Sequence, residues 1–296
     1  SEKIWVNSGG SIYPTNPTQK ATVQPAIYQL KHSMQIGLFL AMVTEKFDMP
    51  KKIYGYDSRF INRVINSYKS SPKNLGIVLN GVKGAGKTFT SKCICNEINL
   101  PIVVISDYFD GIPQFVNSID FECVLLIDEY EKIFTHDNRG LLLSCMDGAQ
   151  MPQSKCMFIL TTNSLNINEN LINRPSRVRY MKSYEDLPKK VILEIIDDLL
   201  IDKDKREDLI KGISKLNLIT TDLLIEIINE VNIHGDNIDE FLSYFNCNKG
   251  QDYSTIYQYK ITNEATGEVI FESVKVKGFI SAEEIGKNIY TTDSNC

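Results

Sequence analysis

Four short apolar runs punctuate the first part of the chain: GIVL (76–79), IVVI (102–105), CVLLI (123–127) and MFIL (157–160). Each is continuous rather than alternating, the pattern of a strand covered on both faces. Between them, apolar positions recur at helical spacing and predict helices over 87–98, 113–119 and 137–147. Strands alternating with helices predict a parallel α/β sheet sandwiched by helices.

Upstream, DSRFINRVINSYKS (57–70) opens on a capping Asp57 and repeats Phe60, Ile61, Val64, Ile65 and Tyr68 on one helical face. IYQL (27–30) and QIGLFLAMV (35–43) predict a strand pair, while residues 1–25, rich in Ser, Thr, Pro, Asn and Gly, read as a loosely structured arm. From Leu187 the periodicity becomes helical throughout, with Thr221 and Asn237 among the capping residues. YQYKIT and EVIFESVKV then predict a hairpin turning at Gly267. The expected divisions are an arm with short strands (1–55), a large α/β unit (56–184), a helical lid (185–248) and a C-terminal β-hairpin extension (249–296).

Composition narrows the class. Apolar residues make up 43% and charged residues 23%, ordinary for a soluble globular chain. No apolar run approaches the length that spans a bilayer, and the opening SEKIWVNSGG lacks the basic-then-apolar order of a signal peptide. Seven cysteines with no CxxC pair point to a reduced, cytoplasmic setting, and three histidines without ligand spacing predict no structural zinc. The net charge of −5 is uneven: residues 1–75 carry ten Lys/Arg against four Asp/Glu, and residues 187–248 carry seven against thirteen. That asymmetry suits either steering between neighbouring copies or two solvated faces.

The chemistry concentrates in GVKGAGKT, Gly81–Thr88, which meets the GxxxxGK[ST] spacing of a P-loop NTPase between a predicted strand and a predicted helix. Such glycines let backbone N–H groups turn toward phosphate oxygens, and the helix N-terminus adds partial positive charge. Lys87 is placed to reach the β- and γ-phosphates, and Thr88 to ligate Mg²⁺. The candidate ATP-binding residues are therefore Gly81, Val82, Lys83, Gly84, Ala85, Gly86, Lys87, Thr88 and the adjoining Phe89. Asp128 and Glu129 end the CVLLI run, at the edge where open parallel sheets bind ligands. Asp128 suits Mg²⁺, and Glu129 suits orienting and deprotonating a water, so the second acid points to hydrolysis. Asn163 closes MFILTTN; it either positions the attacking water or simply ends a strand. Arg174 and Arg177, in NRPSRVRY, suit stabilisation of transition-state charge if either reaches a phosphate.

Taken in order, Gly81–Thr88, LLIDE, ILTTN and RPSR resemble the AAA+ ATPase superfamily, its AAA branch in particular, over about residues 53–245. In a looser way the chain is similar to the BCS1-like subgroup and to phage or bacterial ATPases. The resemblance implies Mg²⁺-dependent ATP hydrolysis, a helical lid, active sites shared between protomers of a homo-oligomer (usually a hexamer), and remodelling of a protein or nucleic-acid partner. It implies that Arg174 or Arg177 acts on a neighbour's nucleotide, and that Ile53, Tyr54 and Gly55 of KIYGYD contact the base. Three departures stand out: a short segment over 106–122, a lid without an arginine, and RPSR where many members have Arg-Pro-Gly-Arg. SDYFDG offers Tyr108 and Phe109 to a central pore or to packing within the domain. LITTDLL offers no arginine to close the lid over the phosphates. A small-molecule kinase and an ATP-dependent assembly or loader component with little turnover would use the same loop.

Overall fold

The computed structural model describes residues 4–8, 10–15, 22–135, 138–163, 171, 174–184, 187–216, 218–235, 238–242 and 245–246, together with the backbone of 255–262 and 269–278. In chain order come β1 (Ile4–Ser8), β2 (Ser11–Thr15), β3 (Ile27–Ser33), β4 (Gly37–Thr44), α1 (Ser58–Ser70), β5 (Leu75–Gly81) and α2 (Lys87–Ile98). They are followed by β6 (Ile102–Ile105), α3 (Ile112–Asn117), β7 (Cys123–Ile127), α4 (Tyr130–Ile133), α5 (Arg139–Asp147), β8 (Cys156–Thr162) and β9 (Tyr180–Tyr184).

These strands form one nine-stranded sheet in the order β1-β2-β4-β3-β6-β7-β8-β5-β9. From β3 to β9 every neighbouring pair is parallel, whereas β1, β2, β4 and β3 are joined as antiparallel neighbours. Every residue of β5, β7 and β8 is buried, as the unbroken apolar runs require. One face packs on α1 and α2 through Ile61, Val64, Ile94 and Ile98; the other packs on α3 and α5 through Phe115, Val116 and Met146. Asp57 caps α1 as expected, accepting from the Phe60 N–H at 3.0 Å, a contact typically worth about 1 kcal/mol.

The N-terminal residues depart from the expected loose arm, since β1 and β2 are strands of the main sheet. Trp5 and Ile12 are each only 2% exposed, and the Trp5 ring meets Phe115 and Phe121 edge-on at 5.3 and 5.7 Å. Two anchors within a polar stretch are enough to fix it. β9 was also unanticipated: it is an edge strand whose residues are at best half-buried, so it carries no apolar run.

By internal contacts the chain divides into residues 1–198 with 220–225, and residues 199–219 with 226–296. The first unit keeps nearly all of α6 (Lys189–Leu199), although the sequence division falls at 185. Lys52 ties that helix down through Asp198 and through Glu194 at 3.3 Å. The second unit contains α7 (Arg206–Ile213), most of α8 (Thr221–His234) and α9 (Ile238–Phe241). In it Ile238 presses on Gly212, leaving no room for a Cβ there. Asn232 accepts from the Ile201 N–H and donates to the Leu199 carbonyl. The cap of α8 is Thr220 rather than Thr221: its Oγ1 accepts from the Leu223 N–H at 3.3 Å. β10 (Thr255–Thr262) and β11 (Val269–Gly278) pair antiparallel, with Thr255 opposite Gly278. Gly267 and Asn237 lie outside the described residues. Among the described residues no helix is long and apolar enough to cross a membrane.

Candidate nucleotide-binding site

The P-loop leaves the C-terminal end of β5 and turns through Gly84 (φ +78°) and Gly86 (φ +94°), a backbone region that side chains disfavour. Lys87 opens α2 and is 5% exposed. Its ammonium donates to the Gly81 and Val82 carbonyls, both at 2.7 Å, and to Asn163 Oδ1 at 2.9 Å. Burial pulls its pKa down, and the carboxylates of Asp128, Glu129 and Glu131 pull it back up.

Thr88 Oγ1 donates to Asp128 at 3.1 Å, and Thr161 Oγ1 donates to the same oxygen at 2.5 Å. Thr161 also accepts from the Glu129 N–H at 2.8 Å, so one hydroxyl joins both acids. Glu129 stands at φ +51°, a costly backbone for a residue with a Cβ, of the kind that gathers at functional sites. Both of its carboxylate oxygens are engaged: Asn163 Nδ2 donates to one and Lys132 Nζ to the other. Lys132, more than Asn163, holds the Glu129 pKa below the usual carboxylate range, with burial opposing. Glu131 accepts from the Asn163 N–H at 2.8 Å, and its second oxygen is buried without a hydrogen-bond partner.

Lys87, Thr88, Asp128, Glu129, Thr161 and Asn163 line a cavity of about 460 Å³. A second cavity of about 530 Å³ adjoins it, with Gly86 and Phe89 common to both. Tyr54, Gly55, Leu187, Pro188 and Val191 wall the second cavity, at a size suited to a purine nucleoside. Val191 methyls lie 3.6 Å from where a Cβ at Gly55 (φ +66°) would stand. Ile53 is not in this wall; it packs into the core beside α1 and α2.

The profile of the ATPase family associated with various cellular activities (AAA) matches residues 77–183, which contain the whole loop, both acids, Asn163 and both arginines. The segment 77–183 thus resembles an AAA domain. An uncharacterized AAA domain-containing protein, ycf46 of Guillardia theta, is 38% identical over 21% of this chain; the chain spans only 15% of that relative's length. Among solved structures, a RuvB variant of Thermotoga maritima is 18% identical with a TM-score of 0.47, covering 64% of this chain and 68% of the other. The FIGL-1 AAA domain in complex with ADP is 15% identical with a TM-score of 0.46, covering 69% and 80%.

Within the matched segment, Lys87, Thr88, Asp128, Glu129 and Asn163 thus converge at one sheet edge. The arginines do not join them. Arg177 sits at the opposite end of β5, its carbonyl against Gly76 and its Nε donating to Asp147 at 2.5 Å. The five residues from Gly76 to Gly81 put roughly 17 Å between the two ends of β5. Arg174 is exposed. Tyr108 and Phe109 resolve toward packing: Tyr108 meets Phe134 edge-on and Phe109 stacks on His32, both with ring centroids 6.0 Å apart.

A hydroxyl and a carboxylate side by side are hard oxygen donors, and the Thr88–Asp128 pair therefore fits Mg²⁺, which keeps waters and takes substrate phosphates as further ligands. Several participants escaped the sequence reading. Thr161 and Lys132 belong to runs that look like ordinary strand and helix residues. Thr221 and Asp222 reach the cavities, and Thr220 reaches Gly84, only through the placement of α8. The extra acid of DEYEK was the one visible signal for Glu131.

Proposed function

We propose that the chain is a Mg²⁺-dependent ATPase of the AAA+ type, completed at the interface of a homo-oligomer of six copies in a ring, and that it remodels a protein or nucleic-acid partner. The observation that carries this is the bond from Lys87 to Asn163 and on to Glu129, beside Thr88 and Asp128. ATP would lie with its base in the larger cavity and its phosphates under the loop. Mg²⁺ on Thr88 and Asp128 would neutralise charge on the phosphate oxygens. Glu129 would accept the proton of the attacking water, which Asn163 orients. Arg177 at the far end of β5, with the Arg174 carbonyl accepting from its N–H at 2.9 Å, supports a role of this segment on a neighbour's nucleotide. Of the two, Arg174 suits this better, since Arg177 is bound to Asp147. Cys123 and Cys156, buried with their sulfurs 3.5 Å apart and free, suit a reducing, cytoplasmic compartment.

The test mixes variants. Arg174→Ala and Lys87→Ala chains should each lack ATPase activity alone and recover part of it together. No recovery at any ratio, in an assembly shown to be mixed, sinks the shared site. A second reading, ATP-driven assembly with little turnover, is favoured by one observation: both oxygens of Glu129 are already engaged. Phosphate release near zero from the assembled protein would select it.

A further inference from the structure

The phosphate cavity holds more carboxylates than ammonium groups. Lys83, Lys87 and Lys92 face Asp48, Asp128, Glu129 and Asp222. Two of these acids have an evident role, Asp128 with the cation and Glu129 with water, and Asp48 belongs to the segment before α1. Asp222 has no such role. It sits in the first turn of α8, and its Oδ2 stands 3.2 Å from the point where a Cβ at Gly84 would be. Thr220 Oγ1 stands at 3.1 Å from the same point. The glycine thus lets the turn of α8 close directly on the phosphate-binding backbone, and it brings a negative charge there.

We propose that Asp222 is a specificity-determining residue that biases this cavity toward a nucleoside diphosphate over the triphosphate. The physical reason is Coulombic. The third phosphate adds a negative charge to a ligand in a cavity that Asp222 lines, so the carboxylate repels the triphosphate more than the diphosphate. The carboxylate is exposed, so the effect is moderate and screened by salt. A group that closes on the loop through a carboxylate, where a guanidinium would reward the triphosphate, reads the phosphate count with the opposite sign. The inference rests on nucleotide occupying the two cavities.

Calorimetric titration of the full chain with Mg·ADP and Mg·ATP tests it, in a Glu129→Gln background that prevents turnover. Asp222→Asn should tighten ATP roughly three- to tenfold and ADP less than twofold, with the difference shrinking as salt is raised. Asp222→Glu keeps the charge and should leave the ATP-to-ADP ratio near that of the parent. An unchanged ratio in Asp222→Asn, with both nucleotides still bound, overturns the role of Asp222 alone. Failure of the parent to bind either nucleotide overturns the nucleotide reading, and this inference with it. Should Asp222→Asn not fold, a ratio in Asp222→Ser equal to the parent's would overturn the proposal equally.

Discussion

The two halves of the nucleotide cleft meet at Gly86 and Phe89 but are held together differently. The phosphate half is a series of hydrogen bonds in which Lys87, Asn163, Glu129, Thr161, Asp128 and Thr88 each serve two neighbours or one neighbour and the loop. The base half is mainly a packed wall, with Val191 against Gly55, a hydrogen bond from Tyr184 to Thr90 and, among the described residues, one ion pair, Asp57 with Lys182. Removing one member of a polar series strands a partner in a poorly solvated place, at full desolvation cost. Trimming an apolar wall loses contact area by degrees. The first half should therefore respond abruptly to substitution and the second gradually.

The sharpest way to break that contrast is Glu129→Gln, which should lower ATP turnover roughly 10²- to 10⁴-fold while leaving ATP affinity nearly unchanged. Turnover at the parent rate in a phosphate-release assay would remove Glu129 from the chemistry. Next, Lys87→Ala should weaken ATP binding by roughly tenfold or more, because a charge-assisted contact to phosphate is lost; a dissociation constant equal to the parent's refutes the assignment. On the base side, Gly55→Val adds a branched side chain to the cavity wall against Val191, and the space it takes should weaken ATP roughly tenfold. Competition by inorganic pyrophosphate should stay as in the parent; if it weakens equally, the halves are not separable.

Two smaller effects sharpen the picture. Lys132 is the chief cause of the lowered Glu129 pKa. Lys132→Met should raise that pKa, so the acid limb of the kcat profile should move to higher pH. An unmoved limb shows that the contact does not persist during turnover. Asp57→Ala should lower stability by about 1 kcal/mol at neutral pH through loss of the α1 cap. Lys182 holds the Asp57 pKa below its ordinary value. The carboxylate's contribution is therefore fully present above the unfolded pKa and fades as pH falls through the folded one. Denaturation midpoints of parent and variant should converge in acid; a constant gap would assign the loss to packing instead.

The same contrast explains what was legible beforehand. The phosphate half is local: one loop must turn its own N–H groups inward, so consecutive residues from Gly81 to Thr88 announce it. Asp128, Glu129 and Asn163 follow because strand ends in a parallel sheet share one edge. The base half gathers Tyr54, Val191 and Thr221 from distant segments, and no spacing rule links them. Ile53 illustrates the difficulty, since it is adjacent to two wall residues and faces the core. The strands at residues 4–15 were hidden for another reason: their burial rests on Trp5 and Ile12 amid polar neighbours.

Those N-terminal strands also constrain the order in which the chain acquires structure. β3 finds its parallel partner β6 only after about 75 intervening residues, and Trp5 finds Phe115 and Phe121 later still. Hairpins close in microseconds, whereas such remote pairings wait on loop closure. As the chain emerges from synthesis, β3 and β4 can pair at once, but their free edge stays unsatisfied until residue 105 is available. Strands made well before their partners are thus among the last to be locked.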